Sequence, residues 1–512
     1  MKNTRTENAM RNVSTAVVGQ IFNIVLNFIC RTIFIYALGK EYLGVSGLFS
    51  NILTIMSLAE LGIGDAIVYK MYKPVADKDY ERIKMYMQFY KKAYWIIGTV
   101  VFGAGLVLIP FLQYLISGGE GIEHIKFIYF LYLFNTASTY FFSYKKLIIN
   151  TDQKGYIDTI NRYLFLILQN IVQIIVLLLW KDFVIYLLVQ INANLIANIR
   201  ISKVATKMYP FINEKAQKLP EKDKHEIFKQ TMALVMHKLG GVCVSGTDNL
   251  LLSAFVGIGW VGIYSNYVTI LGIPQTLLAY IFSPLTASIG NLINTENTNH
   301  LKKTFDKLLF VNFWMYGFSS ICLFVLLNSF IGKVWIDESY LLGLPIVFFI
   351  VLNFYITGMR QVISAFKSSA GLFWNDRFRP IAEAAVNLVA SLILLKFTGF
   401  IGVIIGTTIS ALTTTFWVEA EIVYKHVLDE KPYKFFIVYT KYLASTIAGG
   451  ILCCAICNLI EVNGLLTFIL QLIICVTVSN LFFVLLYFRT TKFKELWHQF
   501  FASIIKRRFS LR

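Results

Sequence analysis

Apolar runs of about 18 to 27 residues follow one another along almost the whole chain, each long enough to cross ~30 Å of hydrocarbon as a helix. No other feature restricts the fold so strongly, because inside lipid the backbone polar groups must be satisfied within the segment itself. Fourteen spans are read, at roughly 13–38, 44–68, 94–117, 126–149, 160–180, 183–204, 231–256, 260–290, 307–331, 342–366, 380–396, 399–424, 436–459 and 464–488. An even number leaves both termini on one side. Composition agrees: of 512 residues 57% are hydrophobic and 15% charged, with mean hydropathy +0.63, which excludes a soluble globular protein of ordinary make-up. The chain is therefore expected to be an all-α polytopic membrane protein of about 14 transmembrane helices. Its first apolar run is too long for a cleavable signal and lacks a small-residue cleavage site, so it is taken as span 1.

The net charge is +18, and the distribution of the basic residues says what it is for. Lys40, Lys126, Lys181, Lys333 and Lys396 fall on one side, Arg31, Lys238 and Arg360 fall within spans, and the rest of the 47 lie in loops on the N-terminal side. The positive-inside rule places that side, and both termini, in the cytoplasm. Anionic headgroups of membrane lipids account for the excess, and no nucleic-acid partner is expected. All seven cysteines lie in spans; Cys454 and Cys457 form a C-x-x-C without a histidine or a second pair nearby, and read as packing residues rather than a metal or redox site. In the basic tail, KELWHQFFASIIKRR sets Leu496, Trp497, Phe500, Phe501, Ile504 and Ile505 mostly on one face, as suits a helix in the membrane interface or a plain stop-transfer flank.

The segment YLGVSGLFSNILTIM from Tyr42 resembles WVGIYSNYVTILGIP from Trp260, at an offset of 218 residues. The same offset carries the start of span 1 onto the start of span 7, and Asn135 onto Asn353. Since it covers an even number of crossings, the repeat is parallel, implying two six-helix lobes related by an axis along the membrane normal. The expected organisation is a lobe at 1–204, a cytoplasmic linker at 205–230, a second lobe at 231–424, two further helices at 425–488 and a basic tail at 489–512.

Within span 1, Gln20, Asn23, Asn27 and Arg31 are spaced by three, four and four, so they share one helical face, and that face cannot look at lipid. Span 7 carries a second stripe at Lys238, Ser245 and Asp248. Arg360 below Asn353 in span 10 adds another cation, and Glu60, Asp65 and Glu383 lie near the inner ends of their spans. A guanidinium at such depth costs at least ~2.5–3.5 kcal/mol. Two readings of the stripes stand side by side. Arg31, Lys238 and Arg360 bind the phosphates of an anionic, sugar-bearing headgroup while the amides and Ser245 bind its hydroxyls, or the same groups join helix to helix, Arg31 with Asp248 and Lys238 with Glu60. Glu60, Asp65 and Glu383 read better as partners of loop lysines. Asp248 is an ion-pair or coupling candidate. Pro274 and Pro284 in span 8 weaken the backbone ladder and are hinge or static-kink candidates.

The segments YLGVSGLFSNILTIMSLAELGIGDAIVYKMY, NTDQKGYIDTINRY and AGLFWNDRFRPIAEAAVNLVASLILLKFTGFIGVIIGTTIS resemble those of Wzx-type polysaccharide-repeat-unit flippases of the multidrug, oligosaccharidyl-lipid and polysaccharide exporter superfamily. The resemblance spans nearly the whole chain, and the third segment is the most specific. It implies two six-helix lobes around a central cavity in a bacterial plasma membrane. It also implies transfer of an undecaprenyl-diphosphate-linked oligosaccharide from the cytoplasmic to the outer leaflet, with polysaccharide polymerase machinery as a further partner. Lipid II flippases of the same superfamily carry arginines in helix 1, and Arg31 falls at a comparable place; their fuller arginine set is replaced here by asparagines, which disfavours lipid II itself.

The leading expectation is a lipid-linked oligosaccharide flippase working by alternating access. With no Walker A glycine loop and no cofactor expected, a proton or sodium gradient or the membrane potential remains as the source of work. The alternatives are a cation-coupled multidrug exporter of the same fold, whose cavity needs carboxylates, a membrane-embedded glycan enzyme, and a non-transporting component of glycan assembly. An enzyme is not expected, since the outer loops are short and His124 stands alone on that face.

Overall fold

The computed structural model describes residues 5–57, 60–118, 122–282, 285–372 and 374–498. Of the residues singled out above, Pro284, the side chains of Asp65, Lys238, Cys243 and Ser245, and the tail from residue 499 with Phe500, Phe501, Ile504 and Ile505 lie outside that description. Among the described residues each predicted span lies mostly on helix, and no strand occurs. Among the described residues ten stretches are both long and apolar enough to cross a membrane, one of which, Phe22–Met56, takes in parts of spans 1 and 2. The chain divides into two compact units, Met1–Ser265 and Asn266–Arg512.

The first unit contains α1 (Arg5–Met56), α2 (Glu60–Asp77), α3 (Tyr80–Leu108), α4 (Leu112–Leu115), α5 (Ile125–Phe142), α6 (Lys146–Thr151), α7 (Tyr156–Leu179), α8 (Phe183–Met208), α9 (Glu221–Leu251) and the first turns of α10 (Ile258–Phe282). α1 turns a corner at Gly39, whose φ of 84° is open to glycine and strained for other residues. Within span 2, helix is described up to Met56 and again from Glu60. The stretch 70–93, which lies between the predicted spans 2 and 3, is helical except at residues 78 and 79. The hydrogen-bond ladder does not need lipid to continue, and Asp79 restarts it by accepting from the amide of Arg82 at 3.0 Å. α9 packs on α1 and α2 and lies with them in the first compact unit, which runs to Ser265, whereas the repeat led to the expectation of a second lobe from residue 231.

The repeat is visible in atomic detail inside this unit. A Cβ on Gly44 would lie 2.0 Å from the carbonyl oxygen of Ile258, and a Cβ on Gly262 would lie 2.0 Å from that of Lys40. Gly262 and Ile258 stand one repeat offset, 218 residues, beyond Gly44 and Lys40. The two repeated segments therefore cross backbone to backbone through equivalent glycines. Asn135 and Asn353, also one offset apart, each accept a side-chain hydrogen bond within their own unit: Asn194 Nδ2 donates to Asn135 Oδ1 at 3.1 Å, and Thr408 Oγ1 donates to Asn353 Oδ1 at 2.8 Å.

The second unit continues with α11 (Leu285–Thr295), α12 (Thr298–Ser329), α13 (Leu344–Met359), α14 (Gln361–Ser369), α15 (Arg379–Thr398), α16 (Phe400–Ser410), α17 (Phe416–His426), α18 (Tyr433–Cys457) and α19 (Leu465–Tyr487). Spans 13 and 14 pack on α12, where the rings of Phe313 and Tyr442 stack with centroids 4.1 Å apart. Of the predicted tail helix, residues 491–498 are helical, and Lys492 and Glu495 pair with Asp306 and Lys307 of α12.

Candidate functional site

The α1 stripe faces α7. Tyr163 donates to Gln20 Oε1 at 3.1 Å, Asn27 Nδ2 donates to Asn23 Oδ1 at 2.7 Å, and Asn170 Nδ2 reaches Asn27 Oδ1 at 3.4 Å. The amide part of the stripe is thus a hydrogen-bonded seam between two helices, with Asn27 still exposed. Arg31, at its far end, leaves that seam and turns to α10: Nη2 donates to Ser265 Oγ at 2.6 Å, and Ser265 in turn donates to the carbonyl of Gly262 at 2.7 Å. One turn of α10 thereby places both the close glycine crossing and the acceptor of Arg31. Asp248, 4% exposed, lies on α9 within electrostatic reach of Tyr264, the residue before that acceptor.

α9 is tied at both ends. Toward its start, beyond the membrane-spanning part, Lys70 of α2 pairs with Glu226. That hydrogen bond holds the Glu226 carboxyl below its ordinary range and pushes Lys70 above its own. Past its end, the turn after α4 is bound through backbone: the amide of Ser117 donates to the carbonyl of Ser253 at 3.1 Å, and the amide of Ile258 donates to the carbonyl of Ser117 at 2.9 Å. Pro274 sits inside a continuous α10, and a Cβ on the neighbouring Gly272 would meet only open space.

In the second unit Arg360 joins a buried charge network. Its Nη2 lies 3.1 Å from Glu419 Oε2, and the same carboxylate takes Lys367 Nζ at 2.8 Å and Arg379 Nη2 at 3.5 Å. Asp376 accepts from Lys367 at 2.6 Å and from Arg379 Nε at 2.9 Å, while Arg379 also reaches Glu383 at 3.4 Å. Three cations meet three carboxylates, and the Asp376 and Glu419 side chains are 0% and 2% exposed. The cationic charge expected at Arg360 for a substrate is here already met by Glu419. Glu383 pairs with Arg379, and Glu60 accepts from Tyr94 at 3.0 Å, where loop lysines were expected for both. Sequence reasoning passed over Glu419, although a carboxylate amid Phe416, Trp417, Val418 and Ala420 in span 12 was a visible signal. Asp376, Arg379 and Glu383 all come from AGLFWNDRFRPIAEAAVNLV, the stretch on which the resemblance is most specific.

Comparison with solved structures gives the same architecture. The chain is similar to the lipid II flippase MurJ in its inward closed conformation, with TM-score 0.65 and 15% identity over 92% of this chain and 98% of that one. It is similar to an inward-facing multidrug resistance MATE transporter of the MOP superfamily, with TM-score 0.61 and 14% identity over 80% and 98%. It also resembles a MOP superfamily transporter from Pyrococcus furiosus, with TM-score 0.53 and 14% identity over 84% and 98%. At such identities these likenesses speak for the fold. No curated protein sequence matches. The family described as polysaccharide biosynthesis protein matches residues 9–289, which include the α1 stripe, Asp248, the glycine crossing and Ser265. That stretch is more than half of the 512 residues, and the chain accordingly belongs to the polysaccharide biosynthesis protein family.

Proposed function

We propose that the protein carries a polyprenyl-diphosphate-linked oligosaccharide, with undecaprenyl as the lipid, from the cytoplasmic to the outer leaflet of a bacterial plasma membrane, both termini lying in the cytoplasm. The observation that carries this reading is the polar line Gln20, Asn23, Asn27, Arg31 inside the family-matching region, running from an amide seam to a guanidinium. Asparagine amides and Ser265 suit sugar hydroxyls, and Arg31 suits a diphosphate. Lys238, on α9, is a second cation for the same headgroup. The polyprenyl chain stays in lipid while the lobes alternate, and Pro274 of α10 serves as the bend. Asp248 is the carboxylate for coupling to protons or sodium, with the membrane potential acting on the charged cargo as the alternative.

The test is transfer of a fluorescent polyprenyl-diphosphate oligosaccharide across vesicles containing the purified protein. Arg31→Ala is expected to lower the rate at least tenfold, the effect of about 1.4 kcal/mol, while Arg31→Lys keeps part of it and both remain folded. Unchanged transfer by folded Arg31→Ala overturns the role of Arg31. No transfer by the wild type, together with ethidium efflux, overturns the substrate class in favour of a cation exporter, the reading that the buried Asp248 carboxylate favours.

A further inference from the structure

A cavity of about 540 Å³ opens in the first unit at the polar end of the apolar part of α3, away from the α1 stripe. Gln88, Lys91, Lys92, Trp95 and Ile96 line it at spacings of three, one, three and one, a single face of α3. Tyr144 and Asn213 close the other side, over a floor that includes the buried Met87 and Ile212. Lys91 Nζ lies 5.6 Å from the ring centroid of Trp95 and 5.9 Å from that of Tyr144, so two aromatic faces hold the ammonium at the opening. Lys145 anchors the wall by donating to Thr206 Oγ1 at 2.9 Å and to Asn213 Oδ1 at 2.8 Å, which leaves one of its three N–H groups.

The charge here is uncompensated. Among the described residues no carboxylate pairs with Lys91, Lys92 or Lys145, and Lys145 is close enough to Lys91 for the two ammonium groups to repel. Glu214, next to the lining Asn213, turns its carboxylate to Lys84 at 3.1 Å, and its backbone carbonyl accepts from Gln88 at 2.8 Å. Beside the lysines, Trp95 and Ile96 are 48% and 64% exposed, so the apolar surface that meets lipid begins at the rim of the basic cavity. Two lysines lining the cavity over an aromatic wall, with the Lys145 ammonium bonded to its Asn213 side and an exposed apolar face beside them, match a phosphate group whose other end is a hydrocarbon chain.

We propose that this cavity is a binding site for the phosphate headgroup of an anionic membrane phospholipid, with Lys91 and Lys92 as its ligands, Lys145 as the third cation and the acyl chains lying along Trp95 and Ile96. The site is separate from the proposed transport path, and its test needs no transport.

The experiment titrates the purified full-length protein with phosphatidylglycerol or phosphatidylcholine of the same chains, read as retained lipid by native mass spectrometry. In parallel, phosphatidylglycerol brominated on its acyl chains quenches tryptophan fluorescence. Phosphatidylglycerol is expected to be preferred, and K91Q/K92Q to weaken it about thirtyfold, from about a kilocalorie per lysine. K91R/K92R is expected to retain it, K302Q/K303Q in the second unit to leave it unchanged, and Trp95→Phe to remove the quenched component. Equal retention of both lipids, an equal loss in K302Q/K303Q, or quenching that survives Trp95→Phe overturns the proposal. Displacement of the lipid signal by millimolar inorganic phosphate, with no lipid preference, assigns the cavity to free phosphate instead. Should K91Q/K92Q not fold, the wild-type and Trp95→Phe quenching decides alone.

Discussion

Replacing Glu419 by glutamine tests whether the charge network of the second unit holds that unit together. Glu419 is almost fully buried and pairs with Lys367 at 2.8 Å, Arg360 at 3.1 Å and Arg379 at 3.5 Å. Among the described residues it is the carboxylate that meets Arg360, whereas Lys367 and Arg379 keep Asp376. Glu419→Gln therefore turns a balanced set of three cations and three carboxylates into one with a surplus positive charge and a stranded guanidinium. Removing one member of a buried ion pair costs about 3–5 kcal/mol. At about 2–4 °C per kcal/mol for a cooperative unit of 150–250 residues, apparent unfolding should fall by about 6–20 °C. The assay is thermal unfolding in detergent followed by a fluorogenic maleimide, since Cys453, Cys457 and Cys475 are buried in the folded unit. Arg360→Gln combined with Glu419→Gln should recover about 0.5–3 kcal/mol of the loss, because the stranded cation is gone. Unfolding of Glu419→Gln within a degree or two of wild type, or a double variant no more stable than the single one, refutes the reasoning. Intact stability with lost transport would move the network from scaffold to transport path.

Gly44→Ala and Gly262→Ala should each destabilise by at least about 1–3 kcal/mol and by similar amounts, because each Cβ meets a backbone oxygen and the two sites are equivalent; thermal unfolding checks both, and a tolerated substitution at either breaks the symmetry argument. Gly272→Ala meets open space and should stabilise by up to about 1 kcal/mol, yet slow transfer if α10 bends beside Pro274; unchanged transfer makes Pro274 a static kink. The Lys70 and Glu226 pair should tie α2 to α9 across neutral pH. The lowered Glu226 value makes its contribution full above the ordinary carboxylate range and lost as pH falls through the lowered one. The raised Lys70 value makes its contribution full below the ordinary lysine range and lost as pH rises through the raised one. Cross-linking of cysteines placed one turn away on α2 and α9 should fall at both extremes and in Glu226→Lys, and return in the Lys70→Glu/Glu226→Lys swap; a yield indifferent to pH and to both variants counts against the tie.

The family and the architecture were legible in the sequence because they rest on local quantities. Run length against bilayer thickness yields spans, the spacing of Gln20, Asn23, Asn27 and Arg31 yields a face, and the offset between Tyr42 and Trp260 yields a parallel repeat. Even the glycine crossing was latent there, since Gly44 and Gly262 sit at matching places in the two repeated segments. Partner choice was not legible. Arg31 was weighed between a phosphate and Asp248, and the structure supplied Ser265 from another helix. Arg360 looked like a cavity cation until Glu419, 59 residues on, was brought beside it. The basic cavity likewise needs α3, the turn after α5 and the segment around Asn213 in one place. A period along one helix says which residues share a face, but which face a second helix turns toward it depends on crossing angles and chain connections summed over the whole bundle. Only the tertiary structure decides that, and with it whether a charge in the membrane is balanced by the protein or left for a ligand.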